Sequence, residues 1–226
     1  TSALLGTCFT VILISFCLGG VLGSILTKRL DSRRSVMIGA FMSLVGYGLA
    51  STVTAESVWL LFAAFSVSGL ACGVVYNATV STVVMRFPDK KGFASGLLLM
   101  GFGASTLVFG SLASALMSHE SLGWRSVYIA TGILLLIVGV LGSRFIASGS
   151  GDIAVSAGSS ERSGFTPKQM LSSASFWLFF CSAAILTIFG QGIIGHAKSI
   201  AVEGGARASL AALTVGLGSV ANGVGR

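Results

Sequence analysis

Long apolar runs separated by short polar segments dominate the chain. The runs cover residues 4–27, 36–54, 58–85, 93–117, 125–146 and 175–200, and one more covers 209–226. Each is close to the length that an α-helix needs to cross the roughly 30 Å hydrocarbon core of a bilayer. Lipid offers backbone groups no hydrogen-bond partners, so such runs should be helical. The pattern predicts an all-α, polytopic transmembrane bundle with six complete helices and the start of a seventh.

One polar segment, residues 148–173, is longer than the other connections and rich in Ser and Gly. This composition is typical of a flexible linker that buries no core. The pattern therefore divides the chain into most of one six-helix bundle (1–147, five spans), a linker (148–173) and the start of a second bundle (174–226). We expect a fragment, because Thr1 and Arg226 both border or lie within apolar runs.

Composition agrees with a lipid environment. Charged residues make up 9% of the chain and hydrophobic residues 54%, whereas a soluble domain has about 25% charged residues. The 14 basic residues exceed the 7 acidic ones, but they form no basic helix face, so nucleic-acid binding is not expected. Cysteines and histidines lack metal-ligand spacing, and no metal or cofactor is predicted.

Basic residues are concentrated in every second connection. The three groups are Lys28, Arg29, Arg33 and Arg34; Arg86, Lys90 and Lys91; and Arg144, Arg162 and Lys168. The intervening connections hold Glu56, and then His119 with Glu120. The positive-inside rule predicts that the basic connections and the linker are cytoplasmic and that the first residue is outside. We expect a plasma membrane or a bacterial inner membrane.

The first basic connection resembles the signature loop of the major facilitator superfamily, which joins that family's second and third helices. The family pattern is a Gly, an Asp four or five residues later, a basic residue, a second Gly and two more basic residues. Four positions match it: Gly23, Arg29, Arg33 and Arg34. Lys28 stands in place of the usual Asp, and Asp31 in place of the second Gly. The resemblance implies a topology and gating loop.

Two further segments are similar to the oxalate/formate antiporter group, to which monocarboxylate transporters are related. The segment from Met85 to Gly103, with Asp89, Lys90 and Lys91, resembles the junction of that group's fourth and fifth helices. The segments at 194–201 and 221–226 resemble its seventh and eighth helices. The resemblance numbers this chain as helices two to eight, with the second half of the transporter missing. It implies transport of a small organic anion such as oxalate, formate, lactate or pyruvate.

Charged groups inside a span are the first candidates for chemistry, because they are costly in a bilayer. Arg226 lies about 18 residues into its run and matches the position of the family's substrate-binding Arg. A guanidinium can bind a carboxylate through two parallel hydrogen bonds. The alternative is a helix-end residue. No Asp or Glu lies within any predicted span, which favours an anion carrier over a cation or proton relay.

Several uncharged polar residues are further substrate-binding candidates. Tyr76 and Asn77 lie in the middle of the third span. The resemblance implies that Tyr76 lines an aromatic cavity; the alternative is helix packing with a local hydrogen bond. Gln191 and Asn222 could contact a substrate in a polar cavity. His196 is either a pH-sensitive group near the outer end or an interfacial histidine without function.

Small residues four positions apart suggest closely packed helices. The pairs are Gly19/Gly23, Gly69/Gly73 and Gly92/Gly96. Glycines at this spacing let two helix backbones approach each other.

Other function classes fit the sequence less well. The spans hold no paired carboxylates, His cluster or nucleophile with a base, so an enzyme is not expected. A seven-helix receptor conflicts with the long linker after the fifth span. A carrier of another small solute, or a membrane sensor or receptor that does not transport, stays open as an alternative.

Overall fold

The computed structural model describes residues 2–54, 57–117, 123–146 and 167–205, and the single positions 207, 210, 217, 218 and 221. Within these residues the structure is α-helical and contains no strand. The helices are α1 (Ser2–Leu30), α2 (Ser32–Ser51), α3 (Val58–Arg86), α4 (Lys91–Met117), α5 (Trp124–Phe145), α6 (Pro167–Leu171) and α7 (Ala174–Glu203), with a 3-10 turn at Pro88–Lys90. The predicted all-α class is confirmed.

Among the residues that the structure describes, three helices are long and apolar enough to cross a membrane: Gly6–Leu30, Val58–Arg86 and Trp124–Phe145. Within α7, the stretch Ala174–Gly190 is a shorter apolar helix. Large aliphatic side chains cover the outward faces; Leu18 on α1 is 59% exposed and Val138 on α5 is 57% exposed. A surface of this kind is stable against lipid rather than water. The full number of membrane crossings stays a prediction.

Among helices α1 to α5, the two central ones are α2 and α3. Helix α3 contacts α1 and α2, α5 packs along α2, and α4 touches α3 and α5. The buried face of α2 consists of small residues: Ser32, Ser35, Val36, Gly39, Ala40, Ser43, Gly46, Ala50 and Ser51. Because two neighbouring helices enclose α2, close packing there requires small side chains, and the helix is less apolar than the other long ones.

Helices α1 and α3 are in direct backbone contact where they cross. A methyl group added at Gly19 would lie 2.8 Å from the Cα of Leu70, and one at Gly23 would lie 2.9 Å from the Cα of Val74. Both distances are shorter than real side-chain contacts allow. The backbone of α3 therefore rests directly on the backbone of α1.

The contact is reciprocal, because glycines on α3 also face the backbone of α1. A methyl group at Gly69 would lie 2.7 Å from the carbonyl oxygen of Ile12, and one at Gly73 would lie 2.7 Å from the nitrogen of Gly20. Two of the three predicted glycine pairs, Gly19/Gly23 and Gly69/Gly73, thus form the crossing of α1 and α3. Gly92 is different, because it lies in the exposed first turn of α4 with open space where its side chain would be.

A second close contact joins α2 to α5. A methyl group at Gly139 would lie 2.5 Å from the Cβ of Ala40, and one at Gly132 would lie 3.1 Å from the Cβ of Tyr47. At the far end of this pair, Arg125 Nη2 donates a hydrogen bond to the carbonyl oxygen of Val53 at 3.3 Å. Its guanidinium carbon also lies 5.2 Å from the centre of the Trp124 ring. Arg125 therefore ties the start of α5 to the segment that follows α2.

Hydroxyl side chains within the helices are mostly bonded to their own helix. Ser43 Oγ donates to the carbonyl oxygen of Gly39 at 2.9 Å, Ser68 Oγ to that of Ala64 at 2.9 Å, and Thr82 Oγ1 to that of Ala78 at 2.7 Å. Such bonds to the preceding turn satisfy a hydroxyl without any partner from another helix. They let polar residues lie inside an apolar environment at low cost.

The helix ends differ from the ends of the apolar runs. Helix α1 continues to Leu30, past the predicted residue 27, and α2 begins at Ser32 rather than at 36. The first connection therefore shrinks to one residue, Asp31. An apolar run covers only the part of a helix that lies in the lipid tails. The helix continues into the polar region as long as its backbone hydrogen bonds can be made.

Replacing Gly19 by Ala should destabilise the protein by about 1–3 kcal/mol, because the new methyl group forces α1 away from Leu70. Gly20 is the matched control, since it is the next residue of the same helix and has open space where its side chain would be. Gly20→Ala should leave stability unchanged or raise it slightly. The thermal unfolding midpoint of the full-length protein in detergent measures both effects. Equal midpoints for the two variants would contradict the close crossing.

Candidate functional site

Two of the predicted basic connections, the one after α1 and the one after α3, lie at the same end of the helix bundle. Helices α1 and α3 run in parallel, because Gly19 faces Leu70 and Gly23 faces Val74. Helix α2 runs antiparallel to α3, because Gly39 faces Val75 and Gly46 faces Ser68. We call this end the basic end. It comprises the α1–α2 turn (residues 28–34), the α3–α4 elbow (residues 85–93) and the last residues of α5, Arg144 and Phe145.

Asp31 forms the whole connection between α1 and α2. Its backbone angles are φ 82° and ψ 153°, and its side chain makes no capping hydrogen bond to α2. Backbones in this region are almost always those of glycine, because other residues there cost about 1–3 kcal/mol. The position is the one where the family pattern has its second Gly. The conformation explains why a glycine suits this place.

The surroundings of the α1–α2 turn hold its strained backbone in place. The carbonyl oxygen of Asp31 accepts hydrogen bonds from the Ser35 backbone nitrogen at 3.1 Å and from Ser35 Oγ at 2.8 Å. Ser35 is fully buried. The buried hydroxyl oxygens of Thr27 and Ser32 have no hydrogen-bond partner among the described atoms. Packing of the two helix ends, rather than local bonding of every group, therefore determines the shape of the turn.

Four of the predicted loop residues carry charges on the two helix ends beside Asp31. Lys28 and Arg29 lie in the last turn of α1, where a positive charge is favourable beside the unpaired carbonyl groups. Arg33 and Arg34 lie in the first turn of α2; Arg34 is exposed and Arg33 half-buried. Gly23, the first residue of the predicted motif, lies two turns before this end, where it packs against α3.

The α3–α4 elbow is a short rigid connection. Helix α3 ends at Arg86, and the Phe87 nitrogen donates to the carbonyl oxygen of Val83 at 3.1 Å. Pro88 has no N–H to continue the helix and begins a 3-10 turn, in which the Lys90 nitrogen donates to the carbonyl oxygen of Phe87 at 3.2 Å. The predicted residues Asp89, Lys90 and Lys91 are all exposed here.

Tyr76 lies within α3 and packs against an aromatic ring of α1. The ring centres of Tyr76 and Phe16 are 5.4 Å apart, with the ring planes inclined by 50°. Tyr76 is half-buried. It is ten residues from Arg86, which corresponds to about 15 Å along the helix axis. This depth is near the middle of a bilayer whose surface lies at the basic end.

Asn77 faces the glycine crossing instead. Its Cβ lies 3.2 Å from the place where a side chain on Gly23 would begin. The residue is half-buried between α1 and α3. This location indicates helix packing for Asn77, and contact with a substrate stays a prediction.

The other predicted substrate-binding residues are not placed by the structure. Gln191 belongs to α7, but its side chain is outside what the structure describes, and Asn222 and Arg226 lie outside the described residues. His196 is exposed on α7. Of the predicted substrate-binding residues, the structure therefore describes the side chains of Tyr76 and Asn77 alone, and their contact with a substrate stays a prediction.

Two contacts were not predicted from the sequence. Phe16 was missed, although it lies three residues before Gly19 and so falls on the face of α1 that meets α3. Arg125 is the first residue of the fifth apolar run, and its bond to Val53 depends on how α5 packs against α2. No local signal in the sequence pairs these two residues.

Comparison with known proteins matches the whole chain to a single family. The model of the Major Facilitator Superfamily matches residues 1–226. The oxalate:formate antiporter of Oxalobacter formigenes is 26% identical over 197 residues, covering 86% of this chain and 45% of the relative.

Eukaryotic relatives match shorter parts of the chain. The apicoplast pyruvate carrier 1 of Toxoplasma gondii is 34% identical over 106 residues, covering 46% of this chain and 19% of the relative. Monocarboxylate transporter 12-B of Danio rerio is 29% identical over 123 residues, covering 54% of this chain and 25% of the relative. The chain spans less than half the length of each of these three relatives.

Replacing Asp31 by Gly should stabilise the protein by about 1–3 kcal/mol, because glycine adopts the observed backbone angles without strain. Asp31→Ala is the matched control, since it removes the same carboxylate and keeps the strain. The Gly variant should therefore unfold at a higher temperature than the Ala variant in detergent. Equal unfolding temperatures of the two variants would show that the backbone at this turn is not strained.

Proposed function

The chain belongs to the major facilitator superfamily, a family of membrane transporters, and from this premise we propose that the complete protein carries small organic anions by alternating access. The chain is an integral membrane protein, and membership in a family of transporters agrees with the prediction that it is not an enzyme. The alignment with the oxalate:formate antiporter over 86% of the chain carries the proposal. Oxalate, formate and monocarboxylates such as lactate or pyruvate are the substrates proposed.

The distribution of charge supports an anionic substrate. The seven acidic residues all fall outside the predicted spans, so no carboxylate is available there to hold a cation or relay a proton. Arg226 is the charged residue that we propose for the substrate. Its planar guanidinium can make two parallel hydrogen bonds to one carboxylate, and it stays charged at every physiological pH.

We assign the aromatic pair of Tyr76 and Phe16 to the wall of the substrate cavity. The pair lies about 15 Å from the basic end, the depth at which transporters of this kind bind their substrates. Aromatic rings present an apolar face with polarised edges, and the Tyr76 hydroxyl adds a hydrogen-bond donor for a carboxylate. Asn77, Gln191 and Asn222 are the further polar positions proposed for this cavity.

The basic end supports the proposed orientation in the membrane. We propose that it faces the cytoplasm together with the linker 148–173, with the first residue outside. Residues 1–147 then form most of the first helical bundle, and 174–226 begin the second. Because direct backbone contacts join α1 to α3, we expect the first bundle to move as a rigid unit when it rocks against the second.

Counter-flow of labelled substrate into liposomes holding the full-length protein tests the proposal. Liposomes preloaded with unlabelled oxalate, formate or lactate should accumulate at least one of the labelled anions. Empty liposomes and liposomes preloaded with a neutral sugar are the controls. Binding without flux would favour a non-transporting sensor, and absence of both would favour a carrier of another solute.

Arg226→Ala should abolish high-affinity uptake, lowering it at least 100-fold, because one charged bidentate contact to a carboxylate is lost. Arg226→Lys should retain weak uptake, since lysine keeps the positive charge but lacks the planar guanidinium that makes two parallel hydrogen bonds. Arg125→Gln is the matched control, because Arg125 lies at the start of α5, where it bonds to Val53. Initial uptake rates at several substrate concentrations measure the effect. Unchanged high-affinity uptake by Arg226→Ala would exclude the proposed role.

Tyr76→Phe should raise the concentration needed for half-maximal uptake by about three- to tenfold, corresponding to one lost hydrogen bond. The packing against Phe16 should persist because the ring is retained, and the unfolding temperature reports what the hydroxyl contributes to stability. Uptake kinetics and thermal unfolding of the same preparation separate the two roles. Lower stability with unchanged kinetics would assign Tyr76 to helix packing alone.

A further inference from the structure

The α3–α4 elbow combines cations with large exposed apolar side chains. All of residues 85–93 are exposed. The Phe87 ring is 53% exposed and the Phe93 ring 72% exposed. Water disfavours two exposed phenyl rings in so short a segment, whereas the boundary between lipid tails and headgroups accommodates them.

The cations of the elbow are close to these two rings in sequence: Arg86 directly precedes Phe87, and Lys90 and Lys91 lie between Phe87 and Phe93. Arg86 ends α3, Lys90 belongs to the 3-10 turn and Lys91 begins α4, while Asp89 is the one acidic residue of the segment. The backbone hydrogen bonds from Phe87 and Lys90 fix the turn that carries them. The charges are therefore presented together on a compact backbone beside apolar rings.

We propose that the α3–α4 elbow binds an anionic phospholipid of the surrounding bilayer. Arg86, Lys90 and Lys91 contact the headgroup phosphate, and the rings of Phe87 and Phe93 lie against the upper acyl chains. Opposite charge supplies the attraction to the headgroup, and burial of the rings keeps the lipid next to the helix ends. This lipid site goes beyond the proposed transport function and does not depend on which solute is carried.

The α1–α2 turn distinguishes a lipid site from a general effect of positive charge. It carries more cations at the same end of the bundle: Lys28, Arg29, Arg33 and Arg34. Its one exposed large apolar side chain, Leu30, is 36% exposed. Ser32, between these charges, and Ser35, directly after them, are buried. This turn therefore offers charge with little apolar surface, and it serves as the matched control.

Fluorescence quenching by brominated lipids tests the proposal on the full-length protein. Phe93→Trp places a fluorophore in the elbow, and every other tryptophan is replaced by Phe. The protein in detergent is titrated with brominated phosphatidylglycerol or with brominated phosphatidylcholine. We expect phosphatidylglycerol to quench Trp fluorescence at a concentration at least tenfold lower than phosphatidylcholine does.

Two triple variants in this background locate the site. Arg86→Gln/Lys90→Gln/Lys91→Gln should lower the affinity for phosphatidylglycerol at least tenfold, since each cation near a membrane surface contributes about a fivefold factor. Lys28→Gln/Arg29→Gln/Arg34→Gln should lower it less than threefold. Circular dichroism and the thermal midpoint of each variant show whether the fold is retained.

Three results would overturn the proposal. Equal quenching by the two lipids would show that the elbow does not select the anionic headgroup. Equal losses from the two triple variants would show that net charge, rather than this site, attracts the lipid. Inorganic phosphate that displaces phosphatidylglycerol at similar concentrations would identify a site for free phosphate instead. These readouts do not involve transport, so their failure leaves the proposed anion carrier untouched.

Discussion

The direct backbone contact between α1 and α3 is the constraint on which the rest of the bundle depends. Lipid tails are as apolar as leucine side chains, so helices in a bilayer gain little by hiding apolar surface from one another. They gain instead from close packing, and glycine gives the closest approach. Gly19 and Gly23 on α1, with Gly69 and Gly73 on α3, bring the two backbones together over two helical turns.

This crossing also sets where the functional groups lie. Because α1 and α3 run in parallel and in contact, the aromatic rings of Phe16 and Tyr76 meet at one depth. The same parallel arrangement places the α1–α2 turn and the α3–α4 elbow at one end. A single packing contact thus places the Phe16–Tyr76 pair within the bundle and a set of cations at its end.

The candidate site was only partly predictable from residues and motifs. Tyr76 was identified by its place in the middle of a span and by the family resemblance, and the structure gives it an aromatic neighbour, Phe16. Asn77 was identified with it, yet the structure places Asn77 against Gly23, because successive residues of a helix point about 100° apart. Asp31 stood out because the family pattern has a glycine at this position. The positive φ of Asp31 is the physical reason that glycine is favoured there.

The sequence by itself determined that the chain is helical, which runs are apolar and which connections carry positive charge. These properties follow from helix length, backbone hydrogen bonding and the cost of charge in lipid, all of which act locally along the chain. Only the tertiary structure decided which glycines meet, that α2 is enclosed by α3 and α5, and that Arg125 bonds to Val53. A helix that is apolar on every side gives no sign of the face it buries, because lipid and protein are equally good apolar surroundings, and close packing makes the choice.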